Sequence, residues 1–210
     1  YEDNGEYDKA LADYDKALTI NPNYTEAFVS RGNVHVLKKD LGVAVVDYTH
    51  ALELDSFNAE AYYRRANVMY LERKYEAALA DYDKALEIDT THAEIYFNRG
   101  NVYGCINDHK SAIEDYTKAL DIDSRHIKAY YNRAAAYFYL QDYQKAITDF
   151  TQVLMIDSTH IKARNNRAIA HFFIGKYGKA WEDITQLEKQ GYKVHPEFLK
   201  ALYEASGQVK

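Results

Sequence analysis

The sequence predicts an all-α protein assembled from antiparallel helix hairpins stacked in a row, and three observations predict it. First, "YEAALADYDKALEID" at 75–89 returns as "HKSAIEDYTKALDID" at 109–123 and "YQKAITDFTQVLMID" at 143–157, each time after 34 residues. A fixed period of that length marks a repeated supersecondary unit. Second, small and aromatic residues recur at spacings of three and four, as at Ala78, Tyr82, Ala85 and Leu86, the pattern of a helix with one buried face. Third, the 210 residues include 2 Pro and 9 Gly, too few for a loop-rich fold.

The elements follow in order. Residues 1–24 read as a partial repeat, with Tyr1 entering at position 11 of the register, partway through a first helix, and "YDKALADYDKALTIN" supplying the second. A chain that opens without Met in mid-unit reads as a piece of something longer. Whole repeats are expected at 25–58, 59–92, 93–126, 127–160 and 161–194, counting Ala59 as position 1. Each holds a first helix such as "AYYRRANVMY" or "AYYNRAAAYF" and a second such as "YEAALADYDKALEI". Turns as short as "LERKY" and "YLQDY" make neighbouring helices antiparallel. Asp, Ser and Thr in "DTTHA", "DSRHI" and "DSTHI" are expected to cap the following helix. The last second helix should stop near Gly191, and 195–207, with Pro196 in its first turn, should form a closing helix.

Two charged series run through this apolar framework. Arginine fills position 7 as Arg31, Arg65, Arg99, Arg133 and Arg167, and aspartate fills position 23 as Asp47, Asp81, Asp115, Asp149 and Asp183, with Asp13 upstream. Antiparallel packing brings these positions to one height, so interhelical ion pairs are expected. Each arginine can meet the aspartate of its own unit or of the preceding one, or bridge both. A partly buried charge needs such a partner.

The small residues at position 8 (Gly32, Ala66, Gly100, Ala134, Ala168), the alanines at position 20 (Ala44, Ala78, Ala112, Ala146, Ala180) and the aromatics four residues later resemble the tetratricopeptide repeat, or TPR, family. Departures from its pattern are the arginine at position 7, where the family has Leu, and a closing Pro present only as Pro22. The resemblance implies a right-handed superhelical solenoid whose first helices line a concave groove, where peptides commonly lie. It points positions 2, 5, 6, 9, 12 and 13 into that groove. The candidate peptide-binding residues are then Asn67, Asn98, Asn101, Lys128, Tyr131, Asn132, Phe138, Lys162, Asn166 and Phe172. A carboxamide can both donate to and accept from an extended backbone, which suits a ladder of asparagines to peptide binding. Asn101, Asn132 and Lys162 match three places of the family's dicarboxylate clamp, but Phe97 and Asn166 stand where its other cations belong. The asparagine-lined superhelix of O-linked N-acetylglucosamine transferase is similar at Asn98, Asn132 and Asn166. Position 2 changes from Glu26, Glu60 and Glu94 to Lys128 and Lys162, which favours a partner with an acidic segment toward the C-terminal half.

Other function classes are disfavoured. A net charge of -6 gives no footprint for a nucleic-acid backbone. No apolar run is long enough for a membrane span. No phosphate-loop, dinucleotide, zinc-protease or nucleophile-elbow motif occurs, so neither enzyme activity nor a cofactor is expected. His92, His126 and His160 share position 34, but equivalent sites in successive hairpins lie on the order of 10 Å apart, too far for one metal ion. A single cysteine, Cys105, fits a cytoplasmic location. The expected function is a non-catalytic scaffold for a protein or peptide partner. The alternative is self-association through the N-terminal edge, or service as the regulatory arm of a larger protein.

Overall fold

The computed structural model describes residues 6–207. Its described elements are helices: α1 (Tyr7–Ile20), α2 (Thr25–Leu37), α3 (Leu41–Leu54), α4 (Ala59–Leu71), α5 (Tyr75–Ile88), α6 (Ala93–Cys105), α7 (His109–Ile122), α8 (Ile127–Tyr139), α9 (Tyr143–Ile156), α10 (Ile161–Phe173), α11 (Tyr177–Lys189) and α12 (Pro196–Ser206). There is no strand among the described residues. The expectation that Tyr1 lies within a first helix falls outside them. The chain forms two compact units, Tyr1–Val102 and Tyr103–Lys210.

In the first unit α2 packs on α1 and α3, and α4 packs on α3 and α5. One core cluster holds Val29, Ala44, Tyr48, Ala51, Ala61 and Val68; the next holds Ala66, Ala78, Tyr82, Ala85, Ile95 and Val102. The position 8 and position 20 residues are small and buried, and at Gly32 a facing aromatic ring leaves no room for a side chain. A Cβ added to Gly32 would come within 2.7 Å of the Tyr48 ring. Tyr48 and Tyr82 are in turn fully buried, and burying an aromatic ring of this kind contributes about 1.5–3 kcal/mol.

In the second unit α8 packs on α7 and α9, α10 on α9 and α11, and α12 on α11. Ala134, Ala146, Phe150, Val153 and Ala163 form one cluster. The last cluster joins Ala168, Ala180, Ile184, Leu187, Val194 and Leu202, so that α12 covers the apolar face of the final hairpin. α11 ends at Lys189, and Gly191, at φ 77°, turns the chain back. Pro196 opens α12 and Gly207, at φ 67°, ends it.

The turns obey the same period. Each hairpin turn places one residue in the left-handed region: Lys39, Arg73, Asn107, Gln141 and Gly175. The caps differ from expectation. First helices are capped from position 34, by Asn58 accepting from the Ala61 N–H at 2.9 Å and by the Nδ1 of His126 and His160 accepting from Ala129 and Ala163. The aspartates three residues earlier close the inter-repeat turn instead. Asp55, Asp89, Asp123 and Asp157 each accept from the backbone N–H two residues on, an Asx turn that occupies the carboxylate.

Candidate functional site

The arginine series resolves into a three-sided clamp. Arg31, Arg65, Arg133 and Arg167 each donate Nε and Nη2 to both carboxylate oxygens of the aspartate sixteen residues on, in their own repeat: Asp47, Asp81, Asp149 and Asp183, at 2.6–3.0 Å. These aspartates are buried. The third donor, Nη1, reaches back sixteen residues to the preceding second helix. It meets Asp15 from Arg31, Thr49 from Arg65, Thr117 from Arg133 and Thr151 from Arg167. Arg99 meets Asp83 in the same way, at 2.6 Å. Thus the bridge to a preceding repeat exists, but it is made to position 25, which is Asp in two of these bridges and Thr in three, and not to the position 23 aspartate that the register also allowed.

Each of Arg31, Arg65, Arg99 and Arg133 also lies over the position 4 ring three residues before it, Phe28, Tyr62, Tyr96 or Tyr130, within cation–π range. For Arg31 and Arg65 the hydrogen bonds to Asp47 and Asp81 raise the guanidinium pKa. Burial works against the charge on Arg133, yet the Asp149 carboxylate carries it upward all the same. Three donors on each of Arg31, Arg65, Arg133 and Arg167 are thus taken by neighbouring helices, as a packing role requires.

Several of the amides are engaged in packing. Tyr48 and Tyr82 donate their hydroxyls to Asn33 Oδ1 at 2.8 Å and Asn67 Oδ1 at 2.6 Å. Burial pushes both phenols well above their ordinary pKa. Asn98 donates Nδ2 to Asn67 Oδ1 at 3.2 Å and to the Tyr63 hydroxyl at 3.1 Å, tying one first helix to the previous one. Asn166 repeats that tie to Tyr131 at 3.2 Å and accepts from Asn165 at 3.4 Å. Asn67, Asn98 and Asn166 are therefore bracing residues as well as candidates for ligand contact. Asn101 and Asn132 are half-buried on the same helices.

Pockets form between adjacent first helices in both units. In the first unit a pocket of about 320 Å³ is lined by Asn33, Val36, Leu37, Tyr48, Arg64, Asn67, Val68 and Leu71. Arg64 in it is held by Glu60 at 2.6 Å. In the second unit a pocket of about 390 Å³ is lined by Tyr131, Ala135, Phe138, Tyr139, Phe150, Asn166, Ile169 and Phe173. Tyr131, Phe138 and Asn166 from the sequence expectation meet there. Lys128 and Lys162 are exposed one turn before Tyr131 and Asn166, near enough to flank them. Phe172 does not line this pocket. It packs on Tyr177 and on Phe198 of the closing helix, and Phe173 takes the open position. Tyr139 and Phe173 were among the aromatics expected along the groove, Ala135 and Ile169 hold its position 9 without having been singled out, and Phe150, from a second helix, was not anticipated. The signal for the position 9 pair was the change from Asn33, Asn67 and Asn101 to Ala135 and Ile169.

Among the described residues no three His, Cys, Asp or Glu side chains converge as a metal site requires, and no helix is long and apolar enough to cross a membrane. Cys105 is exposed.

Comparison with known proteins matches tetratricopeptide repeat models to residues 57–125 and 127–160, and a TPR repeat model to residues 1–39. No curated protein matches the chain. Among solved structures, YrrB, described as a TPR protein with an unusual peptide-binding site, is similar over 93% of this chain and 98% of its own, with a TM-score of 0.78 and 21% identity. MamA is similar over 76% of this chain and 93% of its own, with a TM-score of 0.70 and 27% identity. A tetratricopeptide repeat protein from Parabacteroides merdae covers 98% of this chain and 79% of its own, with a TM-score of 0.72 and 22% identity. Helix hairpins at one fixed period, small residues at every close approach and three repeat models distributed along the sequence lead to one conclusion: this chain is an all-α solenoid of the tetratricopeptide repeat family.

Proposed function

We propose that the chain is a non-catalytic protein-interaction scaffold that holds an extended segment of another protein against its first helices, with the face of α8 and α10 as the primary site. The observation that carries this is the chemistry of that face. α8 and α10 contain no Asp or Glu, present Lys128 and Lys162 to solvent, and flank an open pocket walled by aromatic rings. The corresponding helices of the first unit carry Glu26, Glu60 and Glu94. A partner segment with acidic side chains is favoured beside the two lysines, and a carboxamide such as that of Asn132 or Asn166 has the donor and acceptor to pair with an extended backbone on exchanging its present contacts. The description of YrrB as a peptide-binding TPR protein is in keeping with this role.

The test is a peptide array probed with wild-type protein and with an Asn132→Ala, Lys162→Ala variant, followed by competition with a free acidic peptide. Retained binding of every array peptide by the variant would overturn the assignment of this face. Self-association is a second reading favoured by one contrast. Tyr14 of α1 is half-buried while its equivalents Tyr48 and Tyr82 are fully buried, so α1 offers apolar surface. Light scattering at several concentrations distinguishes it, since a strict monomer removes it.

A further inference from the structure

The pockets of the two units stand between equivalent first helices but have opposite floors, and a paired substitution makes the difference. In the first unit a position 24 tyrosine hydroxyl donates to a position 9 amide, as Tyr48 to Asn33 and Tyr82 to Asn67. In the second unit both members are exchanged together: Ala135 faces Phe150 and Ile169 pairs in register with Ile184. Removing donor and acceptor at once leaves neither unsatisfied, so the apolar floor carries no desolvation penalty. The exchange also replaces a carboxamide by a methyl group at Ala135, and the pocket of about 390 Å³ lies above it. That volume falls within the range of roughly 300–1,000 Å³ in which proteins seat small ligands.

The walls are already set for a guest. Tyr139 and Phe173 stand at the rim, 71% and 52% exposed. Tyr139 stacks on His109 with centroids 4.9 Å apart and planes 2° from parallel, and Phe173 stacks on Tyr143 at 4.7 Å and 8°. Rings braced from behind lose little freedom on binding, which leaves more of the contact energy for affinity. Of the polar groups lining the pocket, the Tyr131 hydroxyl and the Asn166 amide are bonded to each other at 3.2 Å, and Tyr139 is exposed at the rim. An apolar guest strands neither member of the bonded pair.

We infer that this pocket is an anchor for one large apolar side chain, aromatic or long aliphatic, belonging to a bound segment that carries carboxylates beside it. The inference rests on α8 and α10 being the binding face. Lys128 and Lys162 supply the charge complement for the flanking carboxylates, and neither helix has an acidic group to repel them. The first-unit pocket suits the same guest less well, because the Asn33 and Asn67 amides and the Arg64 guanidinium take up part of its wall and burying the charged group under an apolar side chain is costly.

The experiment is selection from a phage-displayed random octapeptide library on wild-type protein and on an Ala135→Asn, Phe150→Tyr variant that copies the first unit's pair. Circular dichroism and a urea midpoint check the variant's fold, and Ala135→Leu, which fills the pocket without adding a polar group, serves as a second variant. Wild-type selection is expected to enrich Phe, Tyr, Trp, Leu or Met at one fixed place with Asp or Glu adjacent. Both variants are expected to bind the selected peptides at least tenfold more weakly. Enrichment without an apolar anchor, or equal affinity for the variants, overturns the inference while leaving the binding face in place. A wild-type selection that enriches nothing overturns both.

Discussion

Arg133 shows how a single charged side chain organises a contact between helices. Two of its donors are taken by Asp149, its third by Thr117 of the preceding second helix, and its flat face lies over Tyr130. Asp149 is 3% exposed. Removing one member strands the other, so Arg133→Leu and Asp149→Leu are each expected to cost about 2–4 kcal/mol in urea denaturation, whereas the double variant should recover most of that loss. Single variants as stable as wild type would contradict a packing role. An arginine variant that kept full stability but lost peptide affinity would point to ligand binding instead.

His171 carries a pH dependence. It is buried, and that burial holds its imidazole below the ordinary value of 6.5, reinforced by Arg167, Lys176 and Lys179 and opposed by Asp183. As pH falls through 6.5 the unfolded chain takes up the proton first, so the stability present above that value is lost below it until the folded imidazole also titrates. Between pH 7.5 and 5.5 the wild type should therefore lose more stability than a His171→Phe variant, by at most about 1.4 kcal/mol per pH unit. Equal losses by the two proteins would contradict it.

The arginine and aspartate series could be read from the sequence because both keep one residue type in every repeat. The third partner could not, since position 25 is Asp in some repeats and Thr in others and so looks like ordinary helix surface. Phe172 and Phe173 were equally apolar on paper. Only the closing helix, by placing Phe198 against Phe172, decides which ring is left open.

At the level of elements the local rules are periodic even where the residues are not. The hairpin turns place Lys39, Arg73, Asn107 and Gln141 at φ 60° to 67°, and only Gly175 is a glycine. A side chain in the left-handed region costs about 1–2 kcal/mol relative to glycine, partly offset by the entropy that glycine adds to the unfolded chain. Gln141→Gly is expected to raise stability by about 0.5–1 kcal/mol in urea titration, and a loss of that size would contradict the turn geometry.

Helix number, order and direction followed from the 34-residue period and the short turns. The caps did not, because Asp is ordinarily the stronger capping residue. Here the Asx turn consumes each inter-repeat aspartate, and the cap passes to Asn58, His126 and His160.

Within each unit neighbouring hairpins share an apolar core, and α12 covers the last of them. Repetition makes the scaffold, and departures from repetition mark the site. Three features depart together on α8 and α10, where lysine replaces glutamate at position 2, apolar residues replace asparagine at position 9 and aromatic rings occupy positions 12 and 13, and a fourth departs on α9 and α11, where the position 24 tyrosine is lost. The periodic part was legible in one sequence, whereas the pocket emerged only when neighbouring helices were placed side by side.

The most direct measurement is an amide chemical-shift map of the isotope-labelled protein titrated with the tightest acidic peptide from the array. The account predicts that the largest perturbations fall on α8 and α10, around Lys128, Tyr131, Ala135, Lys162, Asn166 and Ile169. Perturbations confined to the second helices α7, α9 and α11 would contradict it.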